Sequence, residues 1–211
     1  MSANYGQNDY WIIKIDPNGN IIWERNYGGS GNDVARALVA TDDGGAVVTG
    51  LSNSTNGDVQ GNHGENDVWV IRLNANGDTV WTKSVGGSLQ DRSYTICQTL
   101  DGHFAIAGIT FSNDGDVNGN HGNGDFWVLK LSNTGNLLWQ NALGGSEEDW
   151  AWSIKPTIDS GLIAFGLSKS SDGDLDTNYG HEDYWLVKLN ASGIPEWDLS
   201  YGGSSNDLCI D

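Results

Sequence analysis

Asp114, Asp116, Asn118, Asn120 and Asp125 put an oxygen-bearing side chain at positions 1, 3, 5, 7 and 12 of the segment DGDVNGNHGNGD, with Gly119 at position 6. This is the spacing with which an EF-hand loop wraps calcium, except that Asp replaces Glu at the twelfth position. Calcium takes about six to eight hard oxygen ligands, and alternating carboxylates and amides on a curled backbone can supply them. Glycine at the bend permits the curl. Asp reaches less far than Glu, so monodentate closure and modest affinity are expected. Two further segments share the phase. Asp172, Asp174, Asp176, Asn178 and Asp183 carry more charge but have Thr177 at the bend. Asn56, Asp58, Gln60, Asn62 and Asp67 keep Gly61 but offer fewer carboxylates. The expected cofactor is Ca2+, acting as a structural staple, because no helices flank the loops. The competing reading is an Asx-rich turn, since Asp and Asn readily bond their own backbone. Asp67, Asp125 and Asp183 would then cap turns. His63 and His121 stand at position 8, where the last segment has Tyr179. A zinc site needs clustered His or Cys, so a packing or hydrogen-bonding role is expected for them.

The elements that position these loops follow from repetition. Trp11, Trp69, Trp127 and Trp185 recur at a 58-residue step, as do Trp23, Trp81, Trp139 and Trp197. Gly19, Gly77, Gly135 and Gly193 keep that step, and so do Gly-Gly pairs starting at Gly28, Gly86, Gly144 and Gly202. Asp33, Asp91, Asp149 and Asp207 complete the series. A fixed period of this length signals a repeat architecture. Within a period, DYWIIKID, NIIWERNYGG, DVARALVATDDGG and AVVTGLSNS are short β-type runs bounded by Gly, Asn, Asp or Pro. The glycine of PNG, ANG, NTG and ASG suits a turn needing positive φ. No helical periodicity is present. The expected fold is all-β: a β-propeller of four-stranded antiparallel blades, about three and a half in this chain, forming an incomplete ring. One domain, 1–211, is divided into repeats 9–66, 67–124 and 125–182, with a partial repeat 183–211. The two Trp of each repeat are expected to pack blade on blade. Trp150 and Trp152 fall outside the series.

Charge narrows the partners. Ten basic residues face 28 acidic ones, a net charge of −18. Nucleic acid and anionic membrane are poor partners, and cations good ones. No apolar run is long enough to span a membrane. The opening residues show no signal peptide, and Asn4 is already in register with Asn62, Asn120 and Asn178. The expectation is a chain that starts inside a repeat, with any targeting signal upstream. Cys97 and Cys209 occupy different repeat positions and are expected to be free and buried.

The string DYWIIKIDPNGNIIWERNYGGSGND…DDGGAVVTGLSNSTNGDVQGNHG resembles the tandem repeats of large secreted or cell-surface bacterial β-propeller proteins, over essentially the whole chain. The resemblance implies an extracellular propeller, often one module of a longer polypeptide, with no enzyme activity. The D-x-D-x-D-G chemistry is similar to the calcium loops of integrin α-subunit propellers, at a different place in the blade. IDPNGNIIW and LSNTGNLLW resemble, more weakly, the structural turn-and-Trp element of quinoprotein dehydrogenases, without their adjacent-cysteine pair.

The expected function is a non-catalytic, calcium-binding propeller module for surface display, adhesion or scaffolding, with an unidentified surface protein or glycan as partner. A carbohydrate-binding propeller using rim aromatics such as Tyr179 is the alternative. A quinoprotein-like or glycosidase fragment is disfavoured, because nearly all carboxylates recur by repeat phase and the others, Glu147, Glu148 and Asp198, form no recognisable pair. Lys14, Arg72, Lys130 and Lys188 recur once per blade, and an ion pair with the Asp33, Asp91, Asp149 and Asp207 series is expected. The chain opens in the second half of one blade and closes in the first strand of another. Completion by a second copy or by further blades of a longer chain is therefore expected, since an open strand edge associates.

Overall fold

The computed structural model describes residues 4–207. Among them are fourteen strands and no helix. β1 (Tyr10–Ile15) and β2 (Ile21–Tyr27) form a two-stranded sheet. β3 (Asp33–Ala40), β4 (Ala46–Ser52), β5 (Asp67–Leu73) and β6 (Thr79–Val85) form the first four-stranded blade. β7 (Asp91–Gln98), β8 (Phe104–Thr110), β9 (Asp125–Leu131) and β10 (Leu137–Leu143) form the second. β11 (Asp149–Pro156), β12 (Leu162–Ser168), β13 (Asp183–Leu189) and β14 (Pro195–Tyr201) form the third. Every pairing is antiparallel between sequence neighbours. The first strands of successive blades, β3, β7 and β11, lie against one another, and the result is a propeller-like open ring.

Stacking buries the middle strands on both faces, which is why they read as unbroken apolar runs. β8 and β9 are buried along their whole length. Trp69, Trp127 and Trp185 are at most 1% exposed. The other tryptophan series spans the gap between blades. The rings of Trp23, Trp81 and Trp139 lie over Gly77, Gly135 and Gly193 of the next blade, and Trp23 and Trp81 donate Nε1–H to Ala75 and Asn133 carbonyls at 3.1 Å. These glycines also hold φ between +80° and +85°, so one residue serves the turn and the packing. Trp69, Trp127 and Trp185 of one series and Trp23, Trp81 and Trp139 of the other are blade-to-blade contacts, whereas Trp11 on β1 and Trp197 on β14 are 52% and 44% exposed.

Each first strand carries a β-bulge. The register skips Arg36, Tyr94 and Trp152 opposite Gly50, Gly108 and Gly166. A Cβ on those glycines would overlap the carbonyls of Val34, Arg92 and Trp150. Cys97 is a free, buried cysteine, and burial raises its thiol to about 11. Cys209 lies outside the described residues.

The ion-pair expectation is corrected. Arg72, Lys130 and Lys188 pair with Asp43, Asp101 and Asp159, at 2.6, 2.7 and 3.0 Å. Those carboxylates sit in the turn between the first and second strands. Lys14 donates to the Gly44 and Ala75 carbonyls. The reason is strand length: Asp91 starts β7 and faces Thr110 and then Asp125 across the sheet, whereas Lys130 stands at the far end of β9. Burial opposes the Asp101 charge, but the Lys130 ammonium and Thr99 hydroxyl outweigh it and bring its pKa to about 2. A carboxylate lowered by folding stabilises above its unfolded pKa, and that stability is lost as pH falls towards the folded value. The melting temperature is therefore expected to fall between pH 4 and pH 2, with a shallower fall in Asp101→Asn, as read by thermal denaturation.

Candidate functional site

The three predicted loops connect the second and third strands of their blades, and one apolar side chain anchors each. Val59, Val117 and Leu175 are at most 8% exposed and join the hydrophobic clusters. The polar side chains then divide between two places. At position 1, Asn56, Asp114 and Asp172 accept the amides of Ser30, Ser88 and Ser146 at 2.7–2.8 Å. At position 3, Asp58 and Asp174 accept the amides of Gly28 and Gly144 at 3.1 Å, while the Asp116 amide donates to the Gly86 carbonyl at 2.9 Å. Both positions face the Gly-Gly corner that ends the preceding blade.

Position 12 faces the other way. Asp67, Asp125 and Asp183 open the third strand and turn towards the Gly-Gly corner of their own blade. Asp125 Oδ2 accepts His121 N at 3.0 Å and lies 2.8 Å from His121 Nδ1. Asp67 meets His63 in the same way, and Asp183 accepts the Tyr179 amide. The histidines at position 8 thus bracket the loop. At position 7, Asn62, Asn120 and Asn178 donate to the Ser52, Thr110 and Ser170 carbonyls and accept the amides of Gly64, Gly122 and Gly180. At position 5, the Asn118 carbonyl accepts Gln140 Nε2 at 3.2 Å, while Gln60 and Asp176 are exposed. The structure therefore does not bring positions 1 and 12 of one loop together; it assigns them to successive corners.

At each corner, here called a seam, carboxylates from two repeats meet. A Cβ on Gly86 would stand 2.7 Å from both Asp67 Oδ1 and Asp91 Oδ2. A Cβ on Gly28 would stand 2.8 Å from Asp9 Oδ1 and 2.5 Å from Asp33 Oδ2. Glycine at this corner is the space the carboxylates occupy. The strand-opening Asp91 is fully buried and accepts the Gly87 amide at 2.7 Å, the Ser112 hydroxyl at 2.9 Å and the Thr110 hydroxyl. Asp33 and Asp149 repeat that network. Burial still raises the pKa of Asp91 and Asp149 against these hydrogen bonds. Burial, opposed by the facing imidazole, raises Asp67 and Asp125 to about 6. Asp9, Asp67, Asp125 and Asp183 each keep a buried Oδ1 with no hydrogen-bond partner. Among the described residues, as they stand, no group of three or more His, Cys, Asp or Glu side chains could hold a metal ion.

A second cluster escaped the sequence reading. Tyr94, Trp150 and Trp152 stack at centroid distances of 4.6–5.9 Å, and Arg36 stands 5.9 Å over Tyr94. A cavity of about 300 Å3 beside them is lined by Glu148, Trp150, Trp152, Leu167, Lys169 and Glu182. Lys169 bridges Glu148 at 2.8 Å and Glu182 at 3.4 Å. The available signal was a break in the repeat: one bulge phase carries Arg36, Tyr94 and Trp152. Tyr179 is 57% exposed on its loop, and Asp198 accepts the Trp185 indole N–H at 2.9 Å.

No family model and no curated protein matches the chain. Among solved structures, a protein of unknown function from Bacteroides caccae is similar at 12% identity, over 90% of this chain and 75% of that one, with a TM-score of 0.35. An apocarotenoid oxygenase from Synechocystis is similar at 10% identity and a TM-score of 0.45, over 94% of this chain and 47% of its own length. The chain thus spans about half of that oxygenase. At these scores neither likeness bears on activity.

Proposed function

We propose that the chain is a non-catalytic propeller module, stiffened by calcium, of an extracellular surface, adhesion or scaffold protein of the repeat family its motifs resemble. The observation that carries the calcium reading is the recurrence, repeat after repeat, of a buried carboxylate oxygen without a donor. An isolated buried charge is costly unless paired, and a hard divalent cation suits an all-oxygen donor set. The non-catalytic reading rests on how the carboxylates are used: those of the repeat phases serve turns and seams, and Glu148 and Glu182 are tied to one lysine. At about 100 times its dissociation constant, calcium adds about 2.7 kcal/mol per site, roughly 5–10 °C for a chain of this size. Thermal unfolding with calcium, and again after excess chelator, is expected to differ by that much. Equal melting curves together with no calorimetric calcium signal would refute the calcium reading.

A second reading, a carbohydrate-binding propeller, is favoured by the Tyr94, Trp150 and Trp152 stack beside a largely apolar cavity that Glu148, Lys169 and Glu182 also line. Aromatic faces pack against sugar rings, while Glu148, Lys169 and Glu182 offer donors and acceptors to hydroxyls. Glycan-array binding that disappears in Trp152→Ala is the observation that would shift the assignment to it.

A further inference from the structure

We propose that the calcium site lies at the seam between successive repeats, not within one loop, and that the Gly144 seam, with Asp125, Asp149 and Asp174, is the best formed. The inference rests on the calcium reading above and specifies which side chains share an ion. Three observations carry it. First, the three carboxylates surround one residue. A Cβ on Gly144 would lie 3.2 Å from Asp125 Cγ and would overlap Asp149 Oδ2, and the Gly144 amide donates to Asp174 Oδ2 at 3.1 Å. Second, Asp125 is fully buried and its Oδ1 has no partner, although its Oδ2 is engaged by His121. Third, the arrangement recurs with Asp9, Asp33 and Asp58 around Gly28, and with Asp67 and Asp91 around Gly86.

The seams differ in the cations they already hold. At the Gly86 seam, Lys83 Nζ and His63 Nε2 each stand 3.9 Å from Asp116 Oδ2. At the Gly144 seam Asn141 occupies the phase of Lys83, and the near cationic group is His121, with Nδ1 3.8 Å from Asp174 Oδ2. The His121 ring is held by Asp125, so it shields the pair without neutralising all three acids. The donors are all oxygen, which selects a hard cation over zinc or copper. Calcium accepts a mixture of carboxylates and waters in loose geometry. Drawing in around the ion falls to Asp174, whose side chain is 41% exposed, while Asp125 and Asp149 are fixed by their strands.

Pairwise loss of sites decides the question. Calorimetric titration with calcium chloride would be run on the wild type, Asp125→Asn, Asp172→Asn, Asp174→Asn, Asp183→Asn and the two double variants Asp125→Asn/Asp174→Asn and Asp174→Asn/Asp183→Asn. If the seam is the site, Asp125→Asn and Asp174→Asn each remove one calcium equivalent and their double variant removes the same one. Asp172→Asn, altered at position 1 of the loop, keeps the full stoichiometry. If instead Asp174→Asn and Asp183→Asn remove the same equivalent while Asp125→Asn/Asp174→Asn removes two, the site is the loop. The seam proposal then fails and the calcium reading stands. No calcium signal in the wild type overturns both. Should Asp125→Asn fail to fold by circular dichroism, Asp67→Asn with Asp116→Asn puts the same question to the Gly86 seam.

Discussion

Asp91→Ala is expected to lower the stability of the chain by about 3–5 kcal/mol, and Asp91→Asn by clearly less. The Asp91 carboxylate gathers three donors from three parts of the chain: the Gly87 amide at the end of the previous blade, Thr110 at the end of β8, and Ser112 in the loop beyond. Removing it leaves buried donors unpaired at about 1–3 kcal/mol each. The two hydroxyls can rotate towards other acceptors; the amide cannot. Asparagine keeps one acceptor oxygen and removes a negative charge that faces Asp67 across Gly86. Its gain from lost like-charge repulsion partly offsets the hydrogen bonds it gives up. Chemical denaturation in the presence of chelator, so that no metal contributes, gives both values. A loss below about 1 kcal/mol for Asp91→Ala would mean that the network adds nothing net to folding.

The residues that repeat made the fold legible, and the residues that meet across repeats did not. A 58-residue step shared by two tryptophans, a glycine pair and an aspartate fixes the blade before any strand is assigned. Gly77, Gly135 and Gly193 likewise announce their turns, because a positive φ and a stacked indole together explain glycine at that place, and Gly19 shares the positive φ with open space beside it. Where the loop side chains point was not legible, because spacing along a chain constrains side chains only when the backbone curls back on itself. Here Val117 pins the middle of its loop in the core, so Asp114 reaches one seam and Asp125 the next. The lysine series misled for a related reason: Lys130 and Asp91 lie in one blade but at opposite ends of its strands, and a repeat phase does not say which end is which. Trp150 and Trp152 stood out in the sequence as unmatched, yet their stacking on Tyr94 depends on a bulge that no composition signal marks.

The same tryptophan phase in two environments yields the second large effect. Trp127→Ala is expected to cost about 3–5 kcal/mol, the usual range for deleting a fully buried aromatic side chain. Trp127 is 1% exposed, packs within the cluster between the first two blades, and donates Nε1–H to Gln140 Oε1 at 2.7 Å. Trp11 is its repeat equivalent on β1, where it is 52% exposed. Ile13 and Ile15, beside it, are 39% and 59% exposed, whereas their equivalents Ile71, Leu129, Leu73 and Leu131 are at most 1%. β1 pairs only with β2 among the described residues. Its face has the composition of a blade interior without the covering blade. In a monomer, Trp11→Ala should therefore cost only about 1 kcal/mol, in proportion to the area it buries. Denaturation of both variants, with light scattering at the same protein concentrations, separates two states of the molecule. A small Trp11→Ala effect and a monomeric mass mean that this face stays open in the isolated chain. A cost approaching that of Trp127→Ala, falling on dilution together with the mass, means that a second copy covers β1 and supplies the packing that the neighbouring blade supplies to Trp127.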